Sequence, residues 1–312
     1  MYVKPTPLHE GDMVAIIAPS SPISSTEALL RAVPVFEECG LRVAWGRNVT
    51  NVNSDAWSAA SIENRIEEVT WAFESEEFAA VWVAEGGFSS AELLPYMPYD
   101  LIRKSGKSFI GMSDVTALNN GILARAGLAN FSAPNIRVRK GFDHDAESLA
   151  FAIKLLMCDA KWNDFPFRLT DKMPRCVCPG IVRGPVLGGN LTIFSCLVGT
   201  PYMPDCRGAV LFFEDVHAGG YEVAMAIGRL ELSGILDQAA GVVFGEFCKI
   251  PDRSSEDLAI EDVIVRKFRD RMPCIYGMNF SHGQTCASIP LGCDCVVDAE
   301  ARSVMFSNPF GE

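Results

Sequence analysis

The sequence of 312 residues lacks any uncharged apolar run of about 18 residues, so no segment is expected to cross a membrane as a helix. It also lacks a Lys/Arg-rich run, and its net charge is -12 at pH 7. An acidic chain repels phosphate backbones and anionic lipids, so neither nucleic acid nor a membrane surface is expected as a partner. The first residues lack the apolar run of a secretory signal, which predicts a cytoplasmic protein.

Histidine is scarce, with four residues, and the eleven cysteines are an odd number. In a chain without a secretory signal we expect them to be reduced and mostly buried. One residue separates the two cysteines of each pair, Cys176 with Cys178 and Cys293 with Cys295, whereas most zinc sites have roughly two to four. Alternate residues of a strand share a face, so strand packing accounts for both pairs. The sequence therefore predicts no metal and no other cofactor.

The first half of the chain alternates strand-like and helix-like segments. Residues 13–18 and 78–84 are short apolar runs, and residues 61–73 have helical periodicity between them. This alternation is typical of an α/β domain with a mainly parallel sheet. Prolines and polar residues interrupt the pattern near 160–185, and strand-like segments are more frequent after it.

This change in pattern predicts two domains. We expect residues 1–165 to form the first domain and residues 166–183 to form a linker. We expect residues 184–312 to form a smaller, β-rich α/β domain. Ligands of open α/β sheets bind at the carboxyl ends of strands, so the strand exits are where chemistry is expected.

Ser113 lies at one of these strand exits. It follows the strand-like Ser108–Ile110 and precedes a helix-like segment, so its hydroxyl is expected on a sharp turn near helix N-terminal amides. This is the arrangement of a nucleophile elbow. Gly111 matches the glycine before the elbow serine, whereas Val115 stands where the glycine after it is expected. Capping of the helix by Ser113 and Asp114 is the alternative.

A serine nucleophile needs a base and an acid that orients it. His282 is the best of the four histidines, because it lies in a glycine-flanked loop between apolar segments. Glu214 and Asp215 end a very apolar strand-like segment, where a charge is costly unless it is hydrogen-bonded or used. A strand-end cap is the alternative for these two carboxylates.

Glycine-rich turns supply backbone N–H groups at two other places. Gly87, preceded by Gly86, follows a strand, and its amide with that of Asp114 is a candidate oxyanion hole. Residues 19–22 and 188–190 suggest a phosphate loop, but neither fits the dinucleotide or P-loop patterns. A nucleotide-dependent α/β protein therefore stays an alternative without a motif.

Together these residues resemble the serine LD-carboxypeptidase family, which includes muramoyl-tetrapeptide carboxypeptidases and the related microcin immunity peptidases. The resemblance extends almost from end to end. The matching segments are residues 11–20, 86–95, 99–102, 109–118, 188–191, 199–204 and 211–215, and His282 with 290–292.

The resemblance implies a flavodoxin-like N-terminal domain with a smaller β-rich domain, and a site between them. It implies Ser113 as nucleophile, Glu214 as triad acid and His282 as base. It places the oxyanion-hole amides on Gly87 and Asp114. It also implies a metal-free enzyme that acts on a small peptide, and a homodimer. We expect substrate contacts from the residues around this loop, Gly86, Phe88 and Ser89.

Some residues depart from the family pattern around the substrate. Glu85 stands where muramoyl-peptide enzymes usually have arginine, and Met112 stands where tyrosine is usual. The predicted function is hydrolysis of cytoplasmic murein tetrapeptides by an LD-carboxypeptidase. One alternative is a microcin-immunity-type peptidase that cleaves peptidyl-nucleotide or acyl-amino-acid amides, which residues 199–204 slightly favour. The other is a non-catalytic protein that binds small peptides.

Overall fold

The computed structural model describes residues 2–23, 26–50, 57–136, 143–158, 173–248, 258–283 and 286–311. The predicted boundary at residue 165 and the first part of the predicted linker lie outside these residues. The division into domains at those positions therefore stays a prediction.

The strands and helices of the described residues follow one another in the order that the α/β pattern predicts. The strands are β1 (Met13–Ile17), β2 (Arg42–Trp45), β3 (Phe78–Val83), β4 (Ser108–Ile110), β5 (Asn130–Ser132), β6 (Arg175–Cys178), β7 (Ile181–Asn190), β8 (Val210–Val216), β9 (Gly241–Cys248), β10 (Cys274–Met278), β11 (Ile289–Leu291), β12 (Asp294–Asp298) and β13 (Ser303–Phe306). The α-helices are α1 (Thr26–Leu30), α2 (Val33–Glu38), α3 (Ile62–Glu74), α4 (Tyr99–Ser105), α5 (Thr116–Arg125), α6 (Asp143–Leu156), α7 (Leu191–Cys196), α8 (Gly220–Leu232), α9 (Ile235–Gln238) and α10 (Ile260–Phe268). Two 3₁₀ helices span Ser90–Tyr96 and Ser113–Val115.

Among the described residues, the first sheet has six strands in the order β11-β5-β4-β3-β1-β2. The pairings among β1 to β5 are parallel, and β11 pairs antiparallel with β5 at the edge. Side chains of β1 alternate between two cores: Val14 and Ile16 pack on one face of the sheet, and Ala15 and Ile17 on the other. A strand that is buried on both faces has a continuous apolar sequence, which is why residues 13–18 form one apolar run.

In the part of the chain that the structure describes, the second sheet has seven strands in the order β13-β12-β7-β8-β9-β10-β6. Its four central strands are parallel, and the flanking strands pair antiparallel with them or with each other. Phenylalanines of β8 pack on both faces of the sheet. The ring centroids of Phe212 and Phe280 are 5.5 Å apart, and those of Phe213 and Phe244 are 6.2 Å apart. The two sheets confirm the predicted α/β class, with a mainly parallel sheet and a second, β-rich part.

Helix α5 joins the two sheets. The buried amide of Asn120 donates to the carbonyl of Gly188 at 2.8 Å, and the backbone N–H of Asn190 donates to Thr116 Oγ1 at 2.9 Å. The start of α5 therefore lies against the end of β7, next to β8. Among the described residues, none of the helices combines the length and the apolar character needed to cross a membrane.

Candidate active site

Ser113 occupies a strained turn between β4 and α5. Its φ angle is 70°, in the left-handed region that favours glycine and that a serine adopts at a cost. A Cβ atom added to Gly86 would lie 3.2 Å from Ser113 Oγ, so the glycine leaves room for the hydroxyl. The strain and this close approach match the nucleophile elbow that the sequence predicts.

His282 and Glu214 form a direct hydrogen bond. The distance between His282 Nδ1 and Glu214 Oε2 is 2.6 Å. The side chain of Glu214 is 4% exposed and that of His282 is 19% exposed, so little water screens the contact. A carboxylate at Nδ1 holds the proton on that nitrogen, which makes Nε2 the basic nitrogen of the neutral ring.

Both halves of the chain line one cavity of about 370 Å³. Ser113 comes from the first sheet and His282 from the loop between β10 and β11, and both reach its wall. Other predicted residues that line this cavity are Gly86, Gly87 and Phe88. The structure thus brings together residues that the sequence separates by up to about two hundred positions.

Asp215 is not the partner of His282, although the sequence offers it beside Glu214. Its carboxylate accepts hydrogen bonds from Asn190 Nδ2 at 2.8 Å and from the N–H and hydroxyl of Thr192 at 2.9 and 2.7 Å. Successive side chains of a strand point to opposite faces, so only one of the two acids reaches the histidine. Asp215 instead fixes the start of α7.

Asp114 has a structural role that its place in the sequence does not reveal. Its carboxylate is 1% exposed and accepts hydrogen bonds from the Ser20 hydroxyl and from the Ser90 N–H, the latter at 2.8 Å. The Asp114 carbonyl accepts from Ser90 Oγ at 2.7 Å. Asp114 directly follows Ser113, so its hydrogen bonds connect the turn of Ser113 to the loops after β1 and β3.

The segment Gly87–Ser89 runs along the rim of the cavity. Gly87 has a φ angle of 147°. Phe88 is 74% exposed, and its ring stacks on that of Trp57 with 6.3 Å between the ring centroids. Ser89, predicted as a substrate contact, is fully buried, and its hydroxyl accepts from Arg65 Nη1 at 3.1 Å. The structure does not bring Ser89 to the cavity wall, because its side chain points inward beneath the rim.

Replacing Gly87 with alanine is expected to lower kcat/KM by about 100-fold. The added Cβ would lie 1.9 Å from Ser21 Oγ, so the loop must move. The N–H group of residue 87, which is predicted to belong to the oxyanion hole, would move with it. The measurement is steady-state kinetics beside thermal unfolding.

Gly106→Ala is the matched control for this substitution. Gly106 also has a positive φ, of 63°, but a Cβ atom added to it would meet no atom within 4 Å beyond its two chain neighbours. The variant should lose about 1 kcal/mol of stability with kcat/KM unchanged. Equal kinetic losses in the two variants would contradict a special role for Gly87.

Met112 and Cys286 also line the cavity, with 3.5 Å between their sulfur atoms. Burial, and secondarily the charge of Glu214, raises the pKa of the Cys286 thiol to about 12. The thiol therefore stays protonated at neutral pH, which makes it a poor nucleophile. Met112 was detectable as the neighbour of Ser113, whereas nothing local in the sequence marks Cys286.

One of the two cysteine pairs lies in a strand, as its spacing predicts, whereas Cys293 of the other pair lies in the turn before β12. Cys176 and Cys178 belong to β6, and Cys295 belongs to β12 and is 1% exposed. Among the described residues, no group of three or more His, Cys, Asp or Glu side chains is arranged to hold a metal ion.

A second cavity, of about 480 Å³, adjoins the first and shares Gly87, Phe88 and Ser113 with it. It continues towards α8, where Arg229 lines its wall. A chain bound across Ser113 would thus have space on both sides of the hydroxyl.

Comparison with protein families gives two matches. A model described as the LD-carboxypeptidase N-terminal domain matches residues 14–133, and one described as the LD-carboxypeptidase C-terminal domain matches residues 183–297. Together they cover more than half of the chain.

Similar proteins span nearly the whole chain. A probable murein peptide carboxypeptidase of Bacillus subtilis is 28% identical over 309 residues, which cover 97% of this chain and 93% of that protein. The microcin C7 self-immunity protein MccF of Escherichia coli is 23% identical, covering 97% of this chain and 95% of that protein.

Solved structures agree with these matches. The muramoyltetrapeptide carboxypeptidase of Oxalobacter formigenes superposes with a TM-score of 0.75 at 25% identity, covering 94% of this chain and 97% of that one. An MccF-like protein of Bacillus anthracis superposes with a TM-score of 0.82 at 26% identity, covering 96% and 97%. The resemblance drawn from the sequence is confirmed: the chain belongs to the LD-carboxypeptidase family of serine-type carboxypeptidases.

Proposed function

We propose that this protein releases the C-terminal residue of a murein tetrapeptide by means of Ser113, His282 and Glu214. The observation that carries the proposal is the 2.6 Å hydrogen bond that Glu214 accepts from His282, which lines the same cavity as Ser113. The murein peptide is the substrate class in the names of the Bacillus and Oxalobacter relatives.

In the first half of the reaction, Nε2 of His282 takes the proton of the Ser113 hydroxyl as Oγ attacks the carbonyl carbon of the scissile amide. The carbonyl oxygen gains a negative charge. The N–H groups of Gly87 and Asp114 stabilise this oxyanion. Glu214 stabilises the imidazolium that forms on His282 and keeps the ring oriented.

In the second half, His282 gives its proton to the leaving amine as the carbon–nitrogen bond breaks, and the C-terminal residue departs. The acyl group then remains on Ser113 as an ester. Water attacks this ester while His282 takes a proton from the water, and the proton returns to Ser113 Oγ when the ester breaks. The cycle leaves the enzyme unchanged.

An exposed aromatic pair favours a second candidate substrate, a peptidyl-nucleotide amide. Phe88 lines both cavities and stacks on Trp57, so a flat nucleobase has an aromatic surface beside Ser113. In this alternative the same three residues cleave the amide that joins an amino acid to the nucleotide.

A substrate panel separates these candidates. It contains a murein tetrapeptide with a D-residue at its C-terminus, the isomer with an L-residue there, and an aspartyl sulfamoyl nucleotide. We expect kcat/KM for the D-ended tetrapeptide to exceed that for its L-isomer by about 100-fold or more. Preference for the nucleotide amide would support the second candidate, and binding without any hydrolysis would indicate a non-catalytic peptide-binding protein.

We further propose a cytoplasmic homodimer. Helix α8 leaves apolar side chains exposed along one side, with Tyr221 54%, Met225 60% and Leu232 92% accessible. A second copy of the chain would cover this surface. Sedimentation velocity at micromolar concentration is expected to show a dimer, and a monomer there would contradict this assignment.

A further inference from the structure

A buried arginine holds the rim of the cavity from beneath. Arg65 lies on α3, outside both cavities, and is 1% exposed. Its Nη1 donates to the carbonyl of Pro19 at 3.1 Å and to the carbonyl and hydroxyl of Ser89 at 3.0 and 3.1 Å. One guanidinium group thus joins the loop after β1 to the loop after β3.

The same guanidinium also reaches the outer side of the rim. Its Nη2 donates to Glu92 Oε2 at 2.6 Å, and Glu92 Oε1 accepts from Trp57 Nε1 at 3.0 Å. Trp57 in turn stacks on Phe88. The two residues that follow Gly87 are therefore both held by contacts that lead to Arg65.

Stability alone does not account for a charge at this position. A buried guanidinium loses its hydration, and replacing buried ion pairs with apolar side chains is often neutral or stabilising. Arg65 Nε is buried and has no hydrogen-bond acceptor among the described residues. What the guanidinium provides, and an apolar side chain does not, is a planar fork that fixes two loops relative to each other.

We propose that Arg65 is a positioning residue that aims the N–H group of Gly87 at the oxyanion. This inference rests on the proposed function, because it requires Ser113 to attack a carbonyl group beside Gly87. Displacement of a catalytic group by about 1 Å can cost about 100-fold in rate, so a small movement of the rim is enough. The effect should be confined to the transition state, since the oxyanion exists only there.

The chain offers a matched control in Lys107. This cation is also buried, at 8% exposure, and its Nζ donates to the carbonyls of Ala72 and Phe73 at 3.0 Å. Lys107 directly precedes β4, whereas Ser113 follows the other end of that strand. Lys107→Met should lower the free energy of unfolding and leave kcat unchanged.

The test compares Arg65→Lys with Lys107→Met in kinetics, in urea unfolding and in binding. Arg65→Lys keeps the charge but loses the fork, and we expect kcat to fall about 10- to 100-fold while KM changes less than about 3-fold. In a Ser113→Ala background, Arg65→Lys should leave the dissociation constant of the uncleaved peptide unchanged. A folded Arg65→Lys enzyme with kcat of the unsubstituted protein, or a loss that appears only in KM, would overturn the proposal.

Two milder variants cover the case in which Arg65→Lys does not fold. Ser89→Ala removes the hydroxyl that the guanidinium contacts. Glu92→Gln removes the charge and leaves one acceptor oxygen for the two donors Arg65 Nη2 and Trp57 Nε1. Each variant should lower kcat by about 3- to 10-fold. Unchanged kcat in both would also overturn the proposal. Full activity of Ser113→Ala would contradict the proposed function itself, whereas an inactive Ser113→Ala beside a normal Arg65→Lys would contradict only the positioning role.

Discussion

Ser113→Ala is expected to lower kcat on a D-ended murein tetrapeptide by about 10⁴-fold or more, with little change in KM. The variant removes the oxygen that forms the acyl-enzyme, whereas the oxyanion hole and the binding surface remain. It should also relax the backbone strain at the φ angle of 70° only slightly, because alanine has a Cβ as well. Steady-state kinetics and a mass spectrum of the acylated enzyme measure the effect.

Ser233→Ala is the control for this substitution. Ser233 is exposed and lies just after α8, where its hydroxyl donates to the Leu230 carbonyl at 3.1 Å. Its kcat should stay unchanged. If Ser113→Ala retained more than about a tenth of the activity, a covalent mechanism at this serine would be wrong.

Glu214→Gln is expected to lower kcat by about 10³- to 10⁴-fold. The substitution keeps the size of the side chain but removes the charge that stabilises the imidazolium and that holds the Nδ1 proton in place. Because Glu214 and Ser113 act in the same step, the double variant should be little worse than Ser113→Ala alone. Kinetics of both single variants and the double variant test this.

Glu231→Gln serves as the comparison for Glu214→Gln. Glu231 lies near the end of α8 and forms ion pairs with Lys267 and Arg271. Its side chain is about one-third exposed. Its replacement should leave kcat unchanged. Additive losses in the Glu214→Gln and Ser113→Ala double variant would mean that the two residues do not act as a unit.

Two residues of the candidate site were predictable because they stand at strand ends, where local sequence is informative. Ser113 follows a buried strand beside Gly111, and Glu214 ends an apolar one. The local pattern alone did not decide between Glu214 and Asp215, and Glu214 was preferred on the family resemblance, since the choice depends on which face of β8 meets the loop of His282. That loop comes from a segment 68 positions further along the chain.

The support beneath the site was not predictable from local patterns. Arg65 has the pattern of an ordinary charged residue of an amphipathic helix, and only the folded chain shows that it lies inside. Ser89 shows the converse, because it was predicted as a substrate contact and is buried. Its place in the sequence beside Phe88 does not reveal which of the two side chains points inward. Contacts between distant segments decide both cases.

The short strand β11 limits how substrate can enter. His282 lies between β10, which belongs to the second sheet, and β11, which pairs with β5 in the first sheet through Ile289 and Ser132. The residues after β11 return at once to β7, where the N–H of Gly292 donates to the Val186 carbonyl at 2.7 Å. The segment that carries His282 is thus hydrogen-bonded to both sheets. A large movement of one sheet away from the other would break these hydrogen bonds. Phe88 is exposed and lines both cavities, so we expect substrate and product to pass beside its ring.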